Sequence, residues 1–145
     1  MTTSHAAIDR HPDLMALRSS YERTAESPVA QATFGVTLLA GMYAALSPWI
    51  VGFADNTALA INDLIVGIAV VVLAFILGGA LDRGHGLAWT LFPLGVWLIV
   101  APWVVNNITV SVGTAWSNIV IGAVIAVLGT ASTYFALRAR QFAQY

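Results

Sequence analysis

The sequence contains no cysteine and no lysine, and only 9% of its 145 residues are charged. The absence of cysteine excludes disulfides, thiol redox chemistry and metal sites built on thiolates. A globular domain carries about 25% charged residues, so this chain has too few to cover a surface that faces water. The net charge of −1 gives no reason to expect a nucleic-acid partner. With 59% hydrophobic residues, the composition predicts an integral membrane protein in contact with membrane lipids.

Charged residues divide the chain into long uncharged stretches. None lies between Glu26 and Asp55, between Asp63 and Asp82, or between Arg83 and Arg138. A membrane span needs about 20 apolar residues, and we predict four spans, at 33–53, 61–81, 87–105 and 118–137. Spanning backbone must satisfy its own hydrogen bonds, and four short segments cannot close a barrel. The predicted fold class is therefore all-α, a bundle of four transmembrane helices.

The positions of the arginines predict the orientation in the membrane. They precede the first span, lie between the second and third spans, or follow the fourth: Arg10, Arg18, Arg23, Arg83, Arg138 and Arg140. The loops between spans one and two and between spans three and four contain no basic residue. By the positive-inside rule, both termini and the central turn at 82–86 are cytoplasmic.

The predicted organisation has three parts. Residues 1–27 form a cytoplasmic segment, and the spacing of Leu14, Leu17 and Tyr21 favours a short amphipathic helix over about 13–26, with a partly ordered tail as the alternative. Residues 28–81 form a first helical hairpin. Residues 82–145 form a second hairpin and a short tail.

The two hairpins resemble each other in sequence. The motif Ser47, Pro48 and Trp49 in the first hairpin recurs in the second as Ala101, Pro102 and Trp103. Further along, Asn62-Asp63 and Gly67 match Ser117-Asn118 and Gly122, with one additional residue in the second loop. Because each copy has two helices, both copies cross the membrane in the same direction. This predicts a parallel repeat with a pseudo-two-fold axis along the membrane normal.

A Ser-Pro-Trp motif at the end of the first helix of a two-helix unit resembles the SPW-repeat family of bacterial membrane proteins. The resemblance covers about 28–137, and the second motif departs from it because alanine replaces serine at Ala101. It implies the predicted fold and a location in the bacterial cytoplasmic membrane. It implies no substrate, because the family has no established biochemical activity.

The motif has a simple structural interpretation. Proline inside a helix removes one backbone hydrogen bond, so Pro48 and Pro102 should kink or end their helices. The hydroxyl of Ser47 could bond to a freed carbonyl. Trp49 and Trp103 suit the headgroup boundary as interfacial anchors. The alternative is a proline-opened site lined by the two tryptophans on the outer face.

Asp63 is the only acid predicted to lie inside a span. Intramembrane ionisable groups are costly and often functional, and a proton- or cation-linked role is one hypothesis. However, Asn62 or Asp63 would also suit the cap of a helix beginning near residue 61, and Asn118 would suit the same role in the last span. Since Asn118 cannot titrate, we predict helix caps at both positions.

Small residues at helical spacing predict close helix contacts, at Gly41, Gly67 and Gly122 in particular. The sequence offers no catalytic constellation. The three histidines have no metal-ligand spacing, and we expect no cofactor.

The sequence therefore predicts a non-catalytic membrane subunit, an accessory or scaffold component that packs against other membrane protein subunits or against itself. A small transporter or channel module is the first alternative, because Asp63 and Asn62 could begin a polar pathway. Binding of a lipid or quinone between the hairpins, with Trp49 and Trp103 at its mouth, is the second.

Overall fold

The computed structural model describes residues 28–79, 87–105 and 110–142. These residues form four α-helices and contain no strand. The helices are α1 (Pro28–Val51), α2 (Thr57–Gly79), α3 (Leu91–Val104) and α4 (Val112–Phe142), and a 3₁₀ turn (Ala88–Thr90) leads directly into α3. The predicted N-terminal amphipathic helix, the turn at 82–86 and the end of the C-terminal tail lie outside the described residues.

Three of the helices are long and apolar enough to cross a membrane. The candidate spans are Gln31–Val51, Thr57–Gly78 and Val112–Tyr134. The remaining apolar helix, Ala88–Val104, is shorter. At about 1.5 Å per α-helical residue and about 2.0 Å per 3₁₀ residue, its length is roughly 27 Å, slightly less than the hydrocarbon core.

Each hairpin contains one close helix crossing built on glycine. A Cβ on Gly41 would lie 2.9 Å from the backbone nitrogen of Val71, and a Cβ on Gly67 would collide with the backbone nitrogen of Ala45. Gly41 faces Val71, whereas Ala45, which comes later in α1, faces Gly67, which comes earlier in α2. Helices α1 and α2 are therefore antiparallel. The second crossing has the same form: Gly95 faces Ala126, and Gly122 faces Ile99.

The two hairpins pack against each other as well as internally. Helix α1 contacts α4, and α2 contacts α3. The buried core between the helices includes Ala44 and Val70 from the first hairpin and Leu98 and Ile125 from the second. Aliphatic side chains from both hairpins thus share one interior, which fixes the position of the polar residues described below.

Helices α2 and α4 begin earlier than the sequence predicts, and this corrects the predicted caps. Helix α2 begins at Thr57 and α4 at Val112, so Asp63 and Asn118 each lie well inside a helix, more than one turn from its start. The cap of α2 is Asn56, whose Oδ1 accepts a hydrogen bond from the Leu59 N–H (3.4 Å). The cap prediction for Asn62, Asp63 and Asn118 is therefore wrong.

Ser111 has the same role in α4 that Asn56 has in α2. Its Oγ accepts a hydrogen bond from the Thr114 N–H (3.2 Å) and is 2.8 Å from the Thr114 hydroxyl. Asn56 and Ser111 occupy equivalent positions in the repeat, because the alignment that pairs Asp63 with Asn118 also pairs Asn56 with Ser111. Sequence reasoning placed the caps one or two helical turns too late.

Helix α1 ends one turn after its internal proline. The carbonyl oxygen of Pro48 accepts hydrogen bonds from the N–H groups of Gly52 (3.1 Å) and Phe53 (2.9 Å). Gly52 has a φ of 87°, the left-handed conformation that commonly closes a helix C-terminus. The chain then turns through Asn56 into α2. Pro48 and Pro102 both lie inside their helices, in the last turn or just before it.

Candidate functional site

Asp63 lies at the centre of a polar network between the two hairpins. Its side chain is fully buried, with 0% exposure. The Nδ2 of Asn118 donates to both carboxylate oxygens of Asp63, at 3.2 Å to Oδ1 and 3.0 Å to Oδ2. The Nδ2 of the neighbouring Asn62 donates to Oδ1 at 3.1 Å. The two bonds from Asn118 join α2 to α4 in the interior between the hairpins.

Two further side-chain hydrogen bonds flank this centre. The indole Nε1 of Trp97, on α3, donates to Oδ1 of Asn62 at 2.9 Å. The Tyr43 hydroxyl, on α1, is 3.2 Å from Oγ of Ser117 on α4. We call the six residues that make these bonds the interhairpin network: Tyr43, Asn62, Asp63, Trp97, Ser117 and Asn118.

The members of the interhairpin network occupy matching positions in the two hairpins. Tyr43 and Trp97 correspond in the register that aligns Pro48 with Pro102, and Asn62 corresponds to Ser117. Each flanking bond thus joins an aromatic residue on the first helix of one hairpin to a polar residue on the second helix of the other. Asp63 and Asn118, which also correspond, bond directly to each other.

The network lies well inside the helices. Asp63 and Asn118 each follow the first residue of their helix by a distance of about 9 Å along the axis, at about 1.5 Å per residue. One polar atom in the network has no partner: Oδ1 of Asn118 is buried and accepts no hydrogen bond. A buried unpaired acceptor typically costs about 1–3 kcal/mol, so this oxygen lowers the stability of the contact between the hairpins unless it gains a donor.

The Ser-Pro-Trp motif lies nearer to the ends of α1 and α3. Ser47 donates its hydroxyl hydrogen to the carbonyl oxygen of Ala44 at 2.9 Å. Pro48 has no N–H to offer this carbonyl, so the bond replaces the one that the proline removes. Pro48 and Pro102 are fully buried. Ala101, which replaces the serine, is buried in a small cluster with Phe53 and Leu59.

The tryptophans of the motif face outwards. Trp49 is 57% exposed and Trp103 is 53% exposed, whereas the residue before each of them is buried. Such a position fits contact with lipid or headgroups. The three glycines predicted from the sequence lie at the two helix crossings: Gly41 and Gly67 in the first hairpin, and Gly122 in the second.

Sequence reasoning missed half of the interhairpin network. It singled out Asn62, Asp63 and Asn118, but assigned no role to the aromatic residues or to Ser117. A signal was present in the repeat itself. Tyr43 and Trp97 occupy matching positions, and both carry a hydrogen-bond donor on an aromatic ring within an apolar span.

The chain has long apolar helices that pack in pairs through close contacts at glycine, and a hydrogen-bonded polar cluster lies between the pairs. These features define an integral membrane protein built from helical hairpins. The SPW repeat domain model matches residues 31–132. The chain belongs to the SPW repeat family, as the resemblance indicated. No curated protein and no solved structure has significant similarity to the chain.

Proposed function

We propose that this protein is a non-catalytic membrane subunit, a scaffold or accessory component that packs against another membrane protein. The observation that carries the proposal is the interhairpin network. The polar side chains of this network bond to one another across the two hairpins. Such bonds hold helices together in a membrane, and residues used in this way are not free to line a pathway or to bind a substrate.

The contacts support a bundle of four spans built as a parallel repeat. Matching residues make matching bonds, Tyr43 with Ser117 and Trp97 with Asn62. The two glycine crossings also correspond in position. A rotation of about 180° about the membrane normal would generate such pairs. In this arrangement α3 and its 3₁₀ turn form the fourth span, short enough to need little tilt.

The outer faces of the helices support a partner within the membrane. Large apolar side chains on each long span are at least half exposed, including Leu39, Ile65 and Val127. In a membrane these side chains contact lipid or another hydrophobic helix. The proposed partner is therefore a membrane protein with an apolar face, or a second copy of this chain.

The proposed orientation places both termini in the cytoplasm of a bacterial cell, with the protein in the cytoplasmic membrane. Asp55, in the exposed turn between α1 and α2, would then face the periplasm. A cysteine introduced at Asp55 should react with an impermeant thiol reagent in intact cells, and one at Arg83 should react only after lysis. The reverse labelling pattern contradicts this orientation.

A small proton- or cation-linked transporter is the second candidate, favoured by the full burial of the Asp63 carboxylate inside a span. Two experiments separate the candidates. The first is photo-crosslinking from the exposed position Ile65 in native membranes, with the buried Val70 as the matched control. The accessory role predicts one defined protein adduct from Ile65 and none from Val70.

The second experiment measures ion and proton flux in proteoliposomes that contain the purified protein. The accessory role predicts flux equal to that of empty liposomes. A flux that requires the wild-type protein and disappears in a well-folded Asp63→Asn variant, together with the absence of a protein adduct from Ile65, supports transport and contradicts the accessory role.

A further inference from the structure

The hydrogen bonds at the centre of the network are unbalanced. Asp63 accepts from two amide groups, whereas Oδ1 of Asn118 accepts from none although it is buried. Asn118 Oδ1 lacks a hydrogen-bond donor, and Asp63 is the side chain already bonded to Asn118. A carboxylate can only accept hydrogen bonds, but a carboxylic acid also has one O–H to donate.

The surroundings of Asp63 contain no compensating charge among the described residues. Helices α1 and α3, which flank the network, carry no charged residue, and Asp63 is the only charged residue of α2. The titratable side chain that faces this region from α1 is Tyr43, which is bonded to Ser117. On α4, Arg138 lies far beyond Asn118, about 30 Å along the helix.

A carboxylate buried without a charged partner becomes neutral rather than remaining charged. We infer that Asp63 and Asn118 form a proton-binding site, in which Oδ2 of Asp63 carries a proton and donates it to Oδ1 of Asn118. The proton comes from water when the hairpins assemble. Oδ1 of Asp63 remains an acceptor for the Nδ2 groups of Asn62 and Asn118.

This arrangement closes a ring of two hydrogen bonds between an acid and an amide. Forming the ring requires the Asn118 amide to turn so that its Oδ1 meets Oδ2 of Asp63, while its Nδ2 already lies 3.2 Å from Oδ1 of Asp63. Every polar atom of the pair then has a partner. The proton is part of the contact between the hairpins whether or not the protein has a partner subunit.

Infrared spectroscopy of the full chain in lipid nanodiscs near neutral pH tests whether Asp63 carries the proton. The wild-type protein should show the carbonyl stretch of a hydrogen-bonded carboxylic acid, shifted in heavy water. The band should be absent from Asp63→Asn and unchanged in Asp55→Asn, the matched control at the exposed acid in the α1–α2 turn. Identical spectra of the wild type and Asp63→Asn in this region would overturn the inference.

Thermal unfolding of the same variants gives an independent test. Asparagine has the donor and acceptor of a protonated aspartate, so Asp63→Asn should keep the wild-type melting temperature. A large fall, or failure to fold, therefore counts against the inference.

Exchanging the two residues tests the pairing. The double variant Asp63→Asn/Asn118→Asp moves the acid from α2 to α4 and keeps the ring. It should restore the carboxylic acid band that the single variant Asp63→Asn lacks. A double variant that folds without this band overturns the inference.

Discussion

Ser47 supplies the carbonyl oxygen of Ala44 with a hydrogen bond, at a position where the following proline has no N–H to donate. The serine of the motif thus repairs a defect that the proline creates. We expect Ser47→Ala to lower the free energy of unfolding by about 1 kcal/mol, the usual contribution of one hydrogen bond. Equilibrium unfolding in mixed micelles measures this change.

The matched control is Thr130, whose hydroxyl donates to the carbonyl of Val127, also three positions earlier, without a proline nearby. Thr130→Ala should leave stability unchanged or slightly higher, because the carbonyl keeps its normal helical bond. An equal loss in both variants would show that the proline does not matter. Ala101→Ser should be tolerated, since serine there can bond to Leu98 in the same way.

Gly67 and Gly122 should tolerate no side chain. A Cβ on either residue would overlap the backbone of the partner helix, and overpacking of this kind costs about 1–3 kcal/mol or more. We expect Gly67→Ala and Gly122→Ala to lower stability by at least this amount. A Cβ on Gly35 would contact nothing within 4 Å, so Gly35→Ala should be neutral or stabilising by up to about 1 kcal/mol. Thermal unfolding of the three variants checks this prediction: Gly67→Ala and Gly122→Ala should be less stable than Gly35→Ala.

Asn56 and Ser111 should behave as the two helix caps. Substitution of either by alanine should reduce stability by about 0.5–2 kcal/mol, the range for the loss of an N-cap. The control is Asp55→Ala, which changes the exposed residue next to Asn56 without removing a cap. If Asn56→Ala and Asp55→Ala have the same stability in chemical unfolding, the cap assignment is wrong.

The flanking bonds of the network can be measured with double-mutant cycles. Trp97→Phe combined with Asn62→Leu should show a coupling energy of about 0.6 kcal/mol, typical of side-chain hydrogen bonds between membrane helices. Tyr43→Phe combined with Ser117→Ala should give a similar value. The crossed pair, Tyr43→Phe with Asn62→Leu, makes no direct bond and should be additive. Coupling in the crossed pair as large as in the bonded pairs would contradict the assignment of partners.

The sequence was sufficient to predict the helical fold and the family, because charge-free stretches and the repeated motif are local signals. It placed the starts of α2 and α4 more than one helical turn too late. The reason is that Asn62, Asp63 and Asn118 are good capping residues in isolation. Only the packing of one hairpin on the other shows that Asp63 bonds to Asn118, which is distant in the sequence. A capping preference acts within one turn, and it cannot reveal a partner on another helix.

The polar flanking pairs were missed for a related reason. A tyrosine or tryptophan in a membrane helix is usually assigned to the interface with water. Trp97 instead directs its indole N–H at Asn62 on a neighbouring helix. The repeat indicated that these residues share a role, since Tyr43 and Trp97 correspond in position. The contacts between hairpins, however, can be identified only from the folded structure.

The pairing of Asp63 with Asn118 has a consequence for how such a protein can arise. A single hairpin that dimerised with an identical copy would bring two aspartates, or two asparagines, face to face at the symmetry axis. Two ionised acids there would repel each other, and two amides would bind no proton. Joining both hairpins in one chain removes this restriction, because each copy can then change independently. Duplication followed by divergence at one position thus gives an unequal pair that no symmetric homodimer of hairpins could contain.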